Sequence, residues 1–318
     1  MNLHELIHGR GDVRQAFGAK LLRPSIKFER GLQAAPLTTN YQAVGGAFDY
    51  LLRFYLQRLN PQAQDHPWMA ERAVELIRLS GAKGGEVPTL SGHPRALKAA
   101  AYLADAKRQH RAYMQVGRIT DNLLVAAHRL AHLDMAVRAG PERVDWTSIN
   151  YLSPDDAADL RALLKLVDDR VFRTTRACVL KPRFGAADFV GGAEADLILG
   201  DCLVDINSTK EKRVDVRVFY HLVACWLLLG LGGVGRENGE VEQLPVTSVG
   251  IYFSRFGQLW KQPIEPILPA GAVPGVTRWF VETVCAGNQN ARELLGSLRG
   301  PLAVHLPERS GTLRQGKK

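Results

Sequence analysis

Two short apolar runs, residues 194–199 and 202–207, are separated only by Gly200-Asp201. A two-residue Gly-Asp loop between extended segments predicts a β-hairpin. Counting outward from the loop pairs Leu199 with Cys202, Ile198 with Leu203, Leu197 with Val204, Asp196 with Asp205 and Glu194 with Asn207. Side chains alternate along a strand, so Glu194, Asp196, Asp205 and Asn207 share one face, and Leu197, Leu199, Val204 and Ile206 share the other. Directly opposed residues have Cβ atoms about 4.5–5.5 Å apart, where like charges repel. Two facing aspartates are relieved either by a raised pKa or by a bound cation. Magnesium suits such a pair because it favours carboxylate oxygens, keeps several waters and can present them to a phosphodiester. The bland reading is a row of acids on a solvated sheet face, and a one-residue slip in register would separate the pair.

Other residues compete for attention. His128 and His132 stand four apart, but no glutamate lies between them in the metalloprotease pattern, and a partly exposed helical pair is the expectation. The glycine-rich stretch 230–235 follows a helix rather than a strand and lacks a Gly-Lys-Ser/Thr ending, so it reads as a loop. Lys210, Lys212, Arg213 and Arg217 cluster just after the acids, and Arg255 and Lys261 follow a later strand. They serve a phosphate backbone or simply solvate a turn. Tyr252 and Trp260 are candidates for base stacking, with core packing the favoured role for Tyr252.

These residues need a framework. Apolar residues recur at helical spacing over 43–59, and Asn60-Pro61 stops that helix. Helices are also expected over 67–80, 94–138 and 154–176, the last capped by Ser153. A short apolar run at 177–180 is interrupted by Lys181-Pro182. After the hairpin, 214–229 reads as a helix apolar nearly all round, which belongs buried against a sheet. A strand at 249–253 and helix over 272–298 follow. The expected class is α/β, a small mixed sheet flanked by helices with a large helical portion in the N-terminal half. The expected organisation is one domain over 1–318. It has an irregular basic segment at 1–42, a largely helical insertion at 62–176, a sheet-containing core at 177–300 and a flexible basic tail at 306–318.

The 41 basic and 32 acidic residues leave a formal charge of 41 − 32 = +9, which favours a polyanionic partner. The four cysteines form no CxxC pair, so neither a disulfide framework nor a four-cysteine metal site is expected, and reduced thiols fit a cytoplasmic protein. The first residues lack the pattern of a signal peptide, and the most apolar run is far shorter than the roughly 20 residues of a membrane span, so no membrane role is expected.

The stretch Gly192-Ala193-Glu194-Ala195-Asp196, followed by Val204-Asp205-Ile206-Asn207-Ser208-Thr209-Lys210, resembles the core of the PD-(D/E)XK, or restriction-endonuclease-like, nuclease superfamily. Gly45-Gly46-Ala47-Phe48-Asp49 resembles the upstream helical element of its RecB-type branch, with Asp49 where many members carry histidine. The resemblance implies a restriction-endonuclease-like fold that hydrolyses DNA phosphodiesters with Mg²⁺ or Mn²⁺. Asp196, Asp205 and the carbonyl of Ile206 would hold the metal, Asp49 would complete or support the shell, and Glu194 would be a further ligand. Two departures matter. Asn207 stands at the lysine position, so Lys210, or Asn207 in part, would have to position the attacking water. His221 and Cys225 replace the Gln-xxx-Tyr pair. The alternative is a catalytically degenerate nuclease-fold protein that binds nucleic acid or a protein partner in a defence or mobile-element system. A second copy of the chain is a further candidate partner.

Overall fold

The computed structural model describes residues 2–81, 89–90, 92–236, 240–291 and 293. The expected tail lies outside the described residues. The hairpin forms with the register counted from its loop: β3 (Leu197–Leu199) and β4 (Cys202–Asn207) pair Leu199 with Cys202, Ile198 with Leu203 and Leu197 with Val204. They are the third and fourth of eight strands, whose ranges, with those of eleven helices, follow among the described residues.

Before the hairpin come α1 (Leu3–Gly9), α2 (Gly11–Lys20), α3 (Tyr41–Leu59), β1 (Gln64–Asp65), α4 (Met69–Leu79), α5 (Pro94–Val116), α6 (Asp121–Arg138), α7 (Pro154–Lys165), α8 (Asp169–Phe172) and β2 (Cys178–Leu180). After it come α9 (Val216–Gly232), β5 (Val234–Gly235), β6 (Val241–Glu242), β7 (Ser248–Phe253), β8 (Gln258–Pro263), α10 (Ile264–Ile267) and α11 (Val273–Thr283). Six strands form one mixed sheet in the order β1-β2-β3-β4-β7-β8, while β5 and β6 make a separate small pair. β2, β3 and β4 run antiparallel in turn, and β7 lies parallel to β4. That parallel pair needs a long crossover, and α9 supplies it.

Both sheet faces are covered, as α/β layering requires. Ile198, Leu203 and Val249 join the core formed with α1, α2, α9 and α11, while Leu197, Val204 and Tyr252 join the core formed with the helical block α3–α7. Strand alternation therefore sends Asp196 and Asp205 to the α9 side, the same side as Ile198 and Leu203. α9 has buried residues on every side, from Phe219 to Leu229, as its apolar sequence demands.

Several local expectations change. The N-terminal segment is not irregular throughout. Asn2 and Glu5 form a reciprocal capping box that starts α1, and Leu3, Leu6 and Ile7 bury its apolar face. The single helix expected over 94–138 is two antiparallel helices, because Gly117 takes a left-handed φ of 74° and Thr120 caps the second. α7 stops at Lys165, with α8 separate, and α11 ends at Thr283, with helical residues again at 289–291. β8 was not anticipated: its polar, Pro-ended sequence is that of an edge strand. Among the described residues no helix is long and apolar enough to cross a membrane.

Arg255 is a clear correction. It is not free for a phosphate backbone but 2% exposed, donating bidentately to Asp159 at 2.8 and 3.0 Å and also to the carbonyls of Ser208 and Ala34. Trp260 likewise packs in the core rather than offering a stacking surface. Breaking a buried ion pair from one side strands the partner charge, so Arg255→Ala should cost about 3–5 kcal/mol in urea denaturation. A paired replacement by apolar residues, Arg255→Met with Asp159→Leu, should recover most of that loss.

Candidate functional site

Counting one residue past the Leu197–Val204 pair of β3 and β4 sets Asp196 opposite Asp205, close enough for the charge of Asp196 to act on Asp205. Asp196 Oδ2 also accepts the backbone N–H of Ile206 at 2.7 Å. The group that completes the cluster is Lys181, at the end of β2. Its ammonium donates to Asp196 Oδ1 at 2.5 Å and forms an ion pair with Asp49 Oδ2 at 2.7 Å. Its backbone N–H donates to the carbonyl of Asp196 at 2.9 Å, extending the β2–β3 ladder by one rung. Lys181 is the one non-glycine residue with positive φ, 52°, among the described residues. That conformation costs an L-residue about 1–2 kcal/mol and is held here by two carboxylates and a ladder bond.

Asp49 arrives from the opposite side of the sheet on α3. The helix sits close because Gly46 packs against α6: a Cβ at Gly46 would lie 2.9 Å from that of Ala131. Gly45, in contrast, faces open space, so the packing glycine is its neighbour. Next to Asp49, the Tyr50 hydroxyl donates to the buried Asp134 on α6 at 2.8 Å. One turn further along α6 stands Arg138, whose positive charge acts on Asp134, Glu194, Asp49 and Asp196 and which has no hydrogen bond or ion pair among the described residues.

The electrostatics follow from this crowding. Burial, and then the charge of Asp196, hold the Asp205 carboxyl well above the usual carboxylate range. Burial also raises Asp49, against the pull of Lys181. Burial alone would raise Asp196 as well, but the ammonium of Lys181 and the Ile206 N–H bring it below the ordinary value. Burial would lower Lys181, yet the two carboxylates raise it, so it stays an ammonium. Asp134 is pushed up to about 7 by burial. The side chains of Lys181, Asp49 and Asp196 remain 23%, 21% and 20% exposed, so a small ion reaches them.

The other expected residues fall in different places. Glu194 is exposed, and its carbonyl receives the Cys225 thiol at 3.4 Å. Asn207 closes a turn by accepting the Thr209 N–H at 2.9 Å. Lys210 does not reach the acids: its Nζ lies over the Tyr41 ring, 5.5 Å from the centroid. Arg213 and Lys212 are exposed and Arg217 is half-buried; Arg213 pairs with Glu211 and Arg217 with Asp215. His221 is close enough to Asp196 to feel its charge, and its ring lies 6.3 Å from His4 on α1. Burial, with the charge of His4, lowers His221 to about 4. His128 is buried rather than partly exposed, its ring 4.5 Å from that of His132. All four cysteines are buried free thiols.

A magnesium site can be tested against these donors. Among the described residues no three His, Cys, Asp or Glu groups form a ready cage. Magnesium needs less, since one or two carboxylates plus water and substrate oxygens suffice. Asp196 and Asp205 fit, because two facing carboxyl groups are the donors a divalent cation would take. Asp49 is turned to Lys181 and would support such a shell only through it. Lys181 and Arg138 are the residues that sequence reasoning missed. The signal for Lys181 was a lysine at the end of the strand before the hairpin, but a 16-residue connection to Leu197 prevents counting register across it. No family model, curated protein or solved structure matches this chain.

Asp205 gives a direct test. A carboxyl raised in the fold binds more protons folded than unfolded, so stability falls as pH climbs past the unfolded value of about 4. Without metal, Asp205→Asn should raise Tm by about 2–4 °C, with the gain larger at pH 8 than at pH 5. Added Mg²⁺ should raise the Tm of the parent but not of the variant. Differential scanning calorimetry reads both, and a pH-independent difference contradicts the assignment.

Proposed function

We propose that this protein is a metal-dependent deoxyribonuclease of the PD-(D/E)XK type, in which Lys181 takes the part that the motif gives to the residue at Asn207. The observation that carries this reading is the ammonium of Lys181 held between Asp49 and Asp196 beside the facing Asp205. The order of α3, the β3–β4 hairpin, buried α9 and parallel β7 supports it, since that is the framework the resemblance requires.

Each residue then has a role. Asp196 and Asp205 would hold Mg²⁺ or Mn²⁺, with the Ile206 carbonyl as a further donor. The bound metal would polarise a phosphoryl oxygen and acidify a water. Lys181 stays protonated, so it is no general base. It neutralises charge developing on the phosphorane oxygens and orients water near Asp196. Asp49 fixes the lysine. Arg138 offers its unpaired guanidinium to a substrate phosphate, a task suited to its planar fork. Lys212 lies on an exposed turn suited to backbone contact. Free thiols fit a cytoplasmic setting.

One observation favours the degenerate alternative: Lys181 satisfies two of the three carboxylates without any metal. The two readings separate on DNA. The nuclease cuts plasmid or linear DNA with Mg²⁺ or Mn²⁺, loses about 100- to 1,000-fold in rate in Lys181→Met and Asp196→Asn, and keeps its rate in Lys210→Ala. Calorimetry on each variant separates unfolding from lost chemistry. Salt-sensitive binding without cleavage under either metal selects the degenerate reading.

A further inference from the structure

We infer that the cavity bounded by His66, Pro67, Arg183, Gly235 and Arg236 is a binding site for a phosphate group, that of the nucleic-acid strand flanking the phosphodiester cut at Asp196 and Asp205. The assignment to a flanking phosphate rests on the nuclease reading; the affinity for phosphate does not.

The cavity has a volume of about 280 Å³. His66 in its wall is 6% exposed, and its Nε2 is buried with no hydrogen-bond partner. The ring lines the wall, so a ligand seated in the cavity changes its surroundings. Arg183 is exposed, and its guanidinium has no hydrogen bond or ion pair among the described residues. Arg236 is held by Glu242 at 2.7 Å, and Glu242 also receives Gln64 at 3.4 Å. Two guanidinium groups thus belong to the lining, and of the two Arg183 is the one without a carboxylate partner among the described residues. The walls are tied in place: the Gly235 N–H donates to the Arg183 carbonyl at 2.8 Å, and buried Arg53 donates to the carbonyl of His66 and to Asp65. Burial, with the charges of Arg183 and Arg53, lowers the pKa of His66, so the ring is a neutral donor or acceptor near pH 7. Paired N–H groups of arginine match phosphate oxygens, and the neutral imidazole beside them adds no charge to repel or attract the ligand.

Position argues for the strand being cut. β1 runs parallel to β2 with Asp65 opposite Leu180, so His66 and Lys181 leave adjacent strands at the same level. Arg183 follows Lys181 by two residues and bridges to Glu194, which precedes Asp196 by two. The cavity thus adjoins the carboxylate cluster at the same end of the sheet.

Inorganic phosphate, added to the full chain without metal, is the probe. It should shift the His66 ring signals in NMR and leave them unmoved in Arg183→Ala, an exposed position where folding is safe. No shift in the parent overturns the site. Binding of a fluorescent single-stranded oligonucleotide, again without metal, then identifies the source. Arg183→Ala should lower the slope of log affinity against log salt by about one. Tighter binding of a 5′-phosphorylated than a 5′-hydroxyl strand, lost in Arg183→Ala, makes the phosphate terminal, and equal binding makes it internal. Unchanged affinity and slope in Arg183→Ala overturn the assignment to nucleic acid even where phosphate binds. Phosphate binding without any metal-dependent cleavage leaves the pocket standing and removes the nuclease reading.

Discussion

The ammonium of Lys181 between Asp49 and Asp196 is the interaction on which the rest of the structure depends. Three carboxylates brought together at a sheet end repel one another, and burial raises the cost. A lysine at their centre makes the cluster tolerable, and its own left-handed backbone is the local strain accepted in return. The interaction also joins three parts of the chain that are far apart in sequence: Asp49 on a helix of the N-terminal half, Lys181 at the end of β2, and Asp196 on the hairpin.

The layers exist to bring those parts within reach. α3 approaches because Gly46 lets it sit on Ala131, and α6 answers with Asp134 bound to Tyr50 beside Asp49. On the other side, α9 is buried deeply enough to bring Cys225 to the carbonyl of Glu194. Arg255, far from contacting substrate, anchors the strand-end loop and α7 through Asp159. Helix–sheet packing and buried pairs thus fix a polar cluster to which no single element contributes more than two residues.

Local features were legible in the sequence and long-range ones were not. The Gly200-Asp201 loop determines register over a few residues, so the pairing of Leu197 with Val204, and hence Asp196 with Asp205, follows by counting. α9 is legible because a helix apolar on every side has only one place to go. Lys181 is not, because its strand meets β3 through a long connection that carries no register information. Lys210 drew attention through nearness in sequence, yet Asn207 turns the chain after β4 and directs that lysine to Tyr41. Arg255 misled for a related reason: charge in a sequence says nothing of whether a partner such as Asp159, about a hundred residues away, buries it. The break at Gly117 was legible in its glycine and the Thr120 cap, whereas β8 carries the polar pattern of an exposed loop and becomes a strand only because β7 lies beside it.

The charge balance decides what the cluster can do. Lys181 offsets one of the three carboxylates, and burial, then the neighbouring charge of Asp196, raises the pKa of Asp205. A phosphodiester approaching this site meets residual negative charge, which Arg138 at the margin only partly offsets. The lysine is therefore enough to hold the fold together but too little to bring a phosphate against Asp196 and Asp205. On the nuclease reading proposed above, a divalent cation held by those two carboxylates would reverse the sign locally and leave Lys181 to serve a phosphoryl group instead of the resting acids. On that reading Asn207 would be no defect, because the cation would come from the strand before the hairpin, where Lys181 is held by both Asp49 and Asp196.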